Sequence, residues 1–446
     1  MLIQITVRVA DREAGSVERE LSGTAAEMEE QVRDVVQRTG RVVLETAFSH
    51  LAPSFAAPHC CGQVMKNCGW RTMTVVSTFG ALPVARRRYR CECCGHEQYP
   101  ADAAWCCGRH RLTRPLAKRI CQLATNEHFP RLPQLLADQH GVTVSADTAM
   151  ELVHDVGGHL EAVRRAEAAR GRRSAAALVP DVTPSRVLVE VDGIHYCTNQ
   201  TEPERQPPRL VWQQMKVGVV AWPAEQDPDH RWHKRVLWGR ESPQEFGAAL
   251  YRLACRCGYE QAAEKVFVAD GADWCWELQQ TFFSAATPIV DWYHVSEHVW
   301  ETARVLATDN AATDNAATDQ AAIDQAVDDW AHAALDELHR GGGTALVAWL
   351  EPQHKTHRGT KRQSLGRLLN YVRLRVERMD YPAYRDRGWP IGSGMIESTC
   401  RQLVALRLKG PGMHWTEKGA LAITALRATD INQHWHSTWN SLNLAT

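Results

Sequence analysis

Apolar and polar positions alternate along LIQITVRV (residues 2–9), and short apolar runs recur downstream at RVLVEVD (186–192), LVWQQMKVGVVAW (210–222), RWHKRVLWG (231–239), KVFVAD (265–270) and TPIVDWY (287–293). Runs of this length, rich in valine, predict strands. Between and after them the spacing becomes helical, in SPQEFGAALYRLACRCG (242–258), ADWCWELQQTFF (272–283) and VSEHVWETARVL (295–306). Near the start, a long charge-rich helix is expected through SVERELSGTAAEMEEQVRDVVQRTG (16–40). Met28, Val32, Val35 and Val36 would form its apolar stripe, suited to packing or dimerisation.

The stretch RTMTVVSTFGALPVARRRYRCECC (71–94) reads as two strands around a turn at Gly80 and Pro83, the second strand ending at Cys91 to Cys94. Eight of the 14 cysteines fall between Cys60 and Cys107, and such clustering favours metal ligation over general stapling. Two ligand knuckles joined by a hairpin make a ribbon around structural Zn²⁺. Cys91 and Cys94 form one knuckle as CxxC. The other, HCCG, leaves two pairings open, His59 with Cys61 or Cys60 with Cys61, and Cys68 is a third option.

From residue 109 the chain is helical and basic. In RLPQLLADQHGVTVSADTAMELVHDVGGHL (131–160) a helix, a turn at Gly141 and a second helix capped by Ser145 resemble a helix-turn-helix. Arg109, Arg111 and Arg114, followed by Lys118 and Arg119 without an intervening acid, are candidates for phosphate contacts. A linker with two prolines follows. The expected boundaries are 1–58 (strand and helix), 59–108 (ribbon), 109–180 (helix-turn-helix-like region and linker), 185–306 (catalytic core), 307–390 (helical insertion) and 391–446 (glutamate helix and C-terminal helices). Within the insertion ATDNAATDNAATDQAA repeats a five-residue unit from Ala307, a surface linker or helix extension without chemistry of its own.

At 446 residues, 44% hydrophobic and 23% charged, the chain has material for several globular domains. No run of about 18 apolar residues occurs, and Arg8 interrupts the N-terminal apolar stretch, so a cytoplasmic protein without membrane contact is expected. A net charge of −1 argues against an undifferentiated polyanion binder. Locally the balance differs: residues 352–409 hold 13 Lys plus Arg against 4 Asp plus Glu. Lys361 and Arg362 are candidates for tracking phosphates within this basic segment.

Three acids stand out against that pattern. Asp192 closes RVLVEVD, Asp270 closes KVFVAD, and Glu397 opens a helix after PIGSG. Three strands followed by alternating helices and strands match the ribonuclease-H-like order, in which the first and fourth strands adjoin and bring Asp192 and Asp270 together across 77 residues. The fold class expected is therefore multidomain α+β, with an N-terminal helical, zinc-ribbon and helix-turn-helix region before an α/β catalytic domain carrying a helical insertion. Carboxylates select hard cations, and two Mg²⁺ (or Mn²⁺) ions roughly 3.5–4 Å apart activate a nucleophile and stabilise the leaving oxygen of a phosphodiester. Asp291 ends another strand, and His294 and His298 lie one turn apart beyond it; lacking an HExxH pattern, these three are read as supporting or substrate-positioning residues. Asp273 is read as a helix cap, and Trp274 and Trp276 as core. Arg401, Arg407 and Lys409, beside the KGPGM loop, are candidate DNA contacts.

CECCG, VEVDG, VADGADW, IVDWYHVSEHVWE and PIGSGMIESTCRQLVALRLKGPGMHW, in that order from about residue 59 to 428, resemble a bacterial insertion-sequence transposase of the Kra type, a DDE group distantly similar to Mutator-like transposases. The resemblance implies a DDE triad at Asp192, Asp270 and Glu397, with metal-dependent cleavage and strand transfer of element ends. The irregular first zinc knuckle departs from the pattern. The partners expected are terminal inverted repeats, target DNA and further copies of the chain, because two ends must be paired. Two rival readings are an inactive DNA-binding regulator derived from such an enzyme, and a structure-specific nuclease that does not join strands.

Overall fold

The computed structural model describes residues 1–9, 12–170, 175, 177–202, 209–224, 231–308, 320–442 and 444. It is a mixed α+β chain of two compact units, Met1–Val163 with Thr416–Thr446, and Arg164–Trp415.

The first unit begins with an antiparallel hairpin of β1 (Leu2–Val9) and β2 (Arg12–Glu20). Residues 16–20 are thus strand, where the sequence predicted helix. Val17 pairs with Ile5, and Val7 and Val17 are both buried, so alternation across the hairpin overrides the helix-favouring glutamates. The helix starts at Ala25, where Thr24 and Glu27 form a capping box, and runs to Leu51. Of its expected stripe only Val35 is buried; Met28, Val32 and Val36 are exposed in the single chain.

Next come two short strands, β3 (His59–Cys60) and β4 (Gln63–Val64), then a sheet of β5 (Lys66–Ser77), β6 (Gly80–Arg90) and β7 (Glu97–Gln98). The β5–β6 hairpin turns at Gly80, whose φ of 106° suits glycine. Met73, Val75, Leu82 and Val84 from its two strands form one core with Ala52 and Trp105, and Phe48 stacks on Trp105. Helices follow at Arg114–Ala124, Leu132–His140 and Ala146–Ala168. Gly141 closes the second in the left-handed conformation, and the Ser145 hydroxyl accepts the Thr148 N–H at 3.1 Å. The helix Glu417–Ile431 belongs to this unit and is buried along most of its length. A Cβ on Gly157 would lie 2.4 Å from the Ala422 Cα, so these helices meet backbone to backbone.

In the second unit β8 (Arg186–Glu202), β9 (Arg209–Pro223), β10 (Trp232–Gly239), β11 (Glu264–Ala269) and β12 (Thr287–Val290) form one mixed sheet in the order β10-β9-β8-β11-β12. The first three strands are antiparallel, while β8–β11 and β11–β12 are parallel. Val187, Leu188, Val189 and Val191 are all buried, the near-continuous apolar run of a strand covered on both faces. The helix Pro243–Arg256 starts at a Ser242–Glu245 capping box and presses Leu250 to within 2.7 Å of where a Gly218 Cβ would sit.

Beyond β12 lie the helices Trp292–Thr308, Gln320–Thr356 and Gly359–Arg373, the second broken at Gly341 and Gly342. A Cβ on Gly342 would lie 2.3 Å from the Met379 carbonyl oxygen, so the break sets the chain against that turn. Most of the pentapeptide repeat, residues 309–319, lies outside the described residues. Among the described residues no helix is long and apolar enough to cross a membrane.

Candidate functional site

Register places the aspartates. Ala269 on β11 pairs with Val191 on β8 and with Val290 on β12. Asp192, Asp270 and Asp291 are each the next residue, so three carboxylates leave adjacent parallel strands at one level, the edge where α/β sheets bind ligands. One correction concerns Asp192. It does not end its strand, as the sequence suggested, because β8 continues to Glu202 through its antiparallel pairing with β9. What ends at Asp192 is the parallel ladder.

Glu397 comes from the helix Gly394–Cys400 and is exposed. A cavity of about 170 Å³ is lined by Asp192, Asp270, Asp291, Glu297 and Glu397 together with His294. Polar contacts order its wall. Asp291, 3% exposed, accepts the backbone N–H groups of Tyr293 at 3.0 Å and Ser393 at 3.2 Å, and the Ser393 hydroxyl lies 2.7 Å from Asp291 Oδ2 and 3.3 Å from Glu397 Oε1. Gly392 lets the Tyr293 ring lie close over this turn, where a Cβ would fall 2.6 Å from the ring. Gly271, at φ 106°, likewise leaves room for the Tyr371 hydroxyl, which donates to the Asp270 carbonyl oxygen at 3.3 Å. Cys275 and Cys400 point thiols at Asp270 Oδ1 and Asp192 Oδ2, at 3.8 and 3.7 Å.

Burial pushes the Asp192 carboxyl above its ordinary range, and the charges of Asp270 and Glu397 push the same way. Glu190, two residues earlier on β8, is fully buried and pushed up to about 8 by burial, with Asp291 and Glu397 adding to the effect. Carboxylate oxygens gathered around one cavity are a donor set suited to a hard cation. The acids stand wider apart than a closed metal cage. Among the described residues, the four cysteines below are the group whose ligand atoms all lie within 4.8 Å of one another.

No family model matches the chain, and no curated protein matches it. Among solved structures it is similar to the Drosophila P element transposase strand transfer complex, at 9% identity and a TM-score of 0.27, over 73% of this chain and 80% of that one.

Cys60, Cys61, Cys91 and Cys94 bring their sulfurs within 4.8 Å of one another, a set that can hold a structural metal such as zinc. Tetrahedral Zn–S bonds of about 2.3 Å imply sulfurs roughly 3.8 Å apart. Cys60 lies 3.9 Å from Cys61 and 3.5 Å from Cys94. Of the two pairings the sequence left open, Cys60 with Cys61 is the one brought together; His59 and Cys68 lie outside the group. Adjacent residues both reach inward because Cys61 takes φ 49° and Gly62 φ 76° at the β3–β4 turn. Backbone N–H groups, that of Cys94 first, pull the Cys91 thiol down to about 7, while the Cys94 sulfur pushes Cys61 up to about 12.

The candidate DNA contacts divide. Arg111, Arg362, Arg401 and Lys409 are exposed, Lys361 is half-buried, and Arg109 is exposed but ion-paired with Asp155 at 2.9 Å. Two require correction. Arg407 is 2% exposed with its guanidinium over the Trp415 ring, and Arg114 donates to the carbonyl oxygens of Trp439 and Leu442 at 2.6 and 3.0 Å. Both cations are committed to internal packing. His298 packs on His294 and Tyr371 beside the cavity. Trp276 is buried as expected and Trp274 half-buried; Asp273 is the first helical residue rather than the cap, a place held by Ala272. Sequence reasoning missed Glu190, Ser393 and Glu297. For Glu190 a signal existed, a lone acid inside an otherwise apolar strand two positions from Asp192.

Proposed function

We propose that the chain is a DDE transposase whose ribonuclease-H-like domain cuts and joins DNA with Asp192, Asp270 and Glu397. The observation that carries this reading is the placement of Asp192 and Asp270 at one level on adjacent parallel strands, sharing a five-carboxylate cavity with Glu397. That geometry supports the sequence resemblance independently of any solved structure. Asp192, Asp270 and Glu397 would hold Mg²⁺ or Mn²⁺, which when bound activates water or a 3′-hydroxyl and stabilises the leaving oxygen. The protein's own part is positioning. The sheet edge fixes the two aspartates, Ser393 orients Glu397 against Asp291, and Tyr371 steadies the Asp270 turn. Exposed Arg401 and Lys409 supply cations for the DNA backbone next to that centre. The cysteine ribbon, holding Zn²⁺, and the helices flanking Gly141 form the end-binding region, and the protein acts in the cytoplasm as an oligomer that pairs two element ends.

The test is incubation of purified protein with labelled element-end DNA, a target plasmid and Mg²⁺. Cleaved and joined products support the transposase. Binding without cleavage would leave the inactive regulator, and cleavage that never yields joined product would leave the nuclease.

A further inference from the structure

The helix that carries Glu397 starts at Gly394 and continues through a π-helical turn (Arg401–Ala405) to Leu408, and its first backbone N–H groups have no partners within the helix. Ser393, at the N-cap position, does not cap it with its side chain. The Ser393 hydroxyl is engaged with Asp291 and Glu397 instead. The Ile396 N–H is taken by Glu190 Oε2 at 2.6 Å, a contact between residues 206 positions apart. One turn further along, Lys234 on β10 donates to the Thr399 hydroxyl at 3.0 Å.

Glu190 and Asp192 share one face of β8, since side chains two apart point the same way. One strand therefore carries a proposed metal ligand and the anchor of the helix that carries another. The anchor is costly. Glu190 is 0% exposed, its Oε1 has no hydrogen-bond partner, and the neighbouring positions Val187, Leu188, Val189 and Val191 are all apolar. A valine at 190 would fill the strand without that cost but would leave the Ile396 N–H buried and unpaired.

We propose that Glu190 is a positioning residue that ties the Glu397 helix to the strand of Asp192 and so sets the separation of the two carboxylates. Its consequence for metal binding rests on the function proposed above, whereas its hold on the helix does not. Two readouts on the full-length protein keep these apart. Backbone hydrogen exchange is measured without added metal, and Mn²⁺ affinity is measured by electron paramagnetic resonance. In Glu190→Leu, amides of Gly394–Cys400 should exchange at least ~10-fold faster while those of β8 and β11 stay protected, and Mn²⁺ affinity should fall by ~10–100-fold, the usual effect of losing a supporting partner. Glu190→Gln, which keeps an acceptor oxygen, should remain within ~3-fold of wild type in both. If Glu190→Leu does not fold, Glu190→Asp, which withdraws the carboxylate by one methylene, carries the same expectation. Unchanged exchange at Gly394–Cys400 in the folded Leu or Asp variant overturns the proposal, as does a Gln variant as loose as Leu. Wild-type protein that binds no Mn²⁺ at these acids would overturn the metal site, and the exchange measurement would still decide the role of Glu190.

Discussion

Burying Glu190 has a thermodynamic signature that can be worked out in advance. Its carboxyl is raised from an ordinary 4.5 to about 8, first by burial and then by Asp291 and Glu397. Between those values the folded chain keeps a proton that the unfolded chain releases, so stability falls as pH rises from about 4.5 to 8 and levels off above. One pH unit corresponds to about 1.4 kcal/mol, so this group removes about 4 kcal/mol between pH 5 and 8. Glu190→Gln abolishes the titration. Asp192 is raised too, with the same sign, but it remains in both proteins and cancels in the comparison. Denaturant unfolding followed by tryptophan fluorescence at pH 5, 6, 7 and 8, without added divalent cation, should show the variant gaining on wild type by about that amount across the range. Parallel stability curves would refute the reasoning, and would mean that Glu190 is already charged at pH 5 against Lys234.

The ribbon should hold one zinc ion per chain; Cys60→Ser, Cys61→Ser, Cys91→Ser and Cys94→Ser should each abolish it by metal analysis, and His59→Ala and Cys68→Ser should retain it. Arg407→Ala should lower the free energy of unfolding, read from denaturant titration, by about 1–3 kcal/mol for a lost buried cation–π and packing contact, and leave DNA affinity in metal-free buffer unchanged. Arg401→Ala should do the reverse, with stability within about 0.5 kcal/mol of wild type and DNA binding weaker and less salt-dependent, read from binding isotherms at several salt concentrations.

Legibility in the sequence followed the range of the forces involved. Strands β8 to β12 were readable because each is a short apolar run whose period does not depend on distant partners, and their order placed β8 beside β11. The hairpin strand β2 was not, since its glutamates favour helix and only pairing with β1 makes it a strand. Asp192 was found for a partly mistaken reason, as the end of a strand that in fact continues. Glu190 was passed over because a strand pattern treats an internal acid as noise, and its partner, the Ile396 N–H, is 206 residues away. Likewise nothing local distinguishes Arg407, stacked on Trp415, from Arg401 in solvent; only tertiary packing separates them. In the first zinc knuckle the sequence supplied the donors, and the left-handed backbone at Cys61 and Gly62 selected among them.

The most direct test of the central claim is an anomalous-scattering map at the manganese edge from crystals of the protein with element-end DNA and Mn²⁺. Manganese peaks are expected in the cavity bounded by Asp192, Asp270 and Glu397, and are expected to be lost in Asp192→Asn. DNA bound in the crystal with manganese absent from that cavity would contradict it.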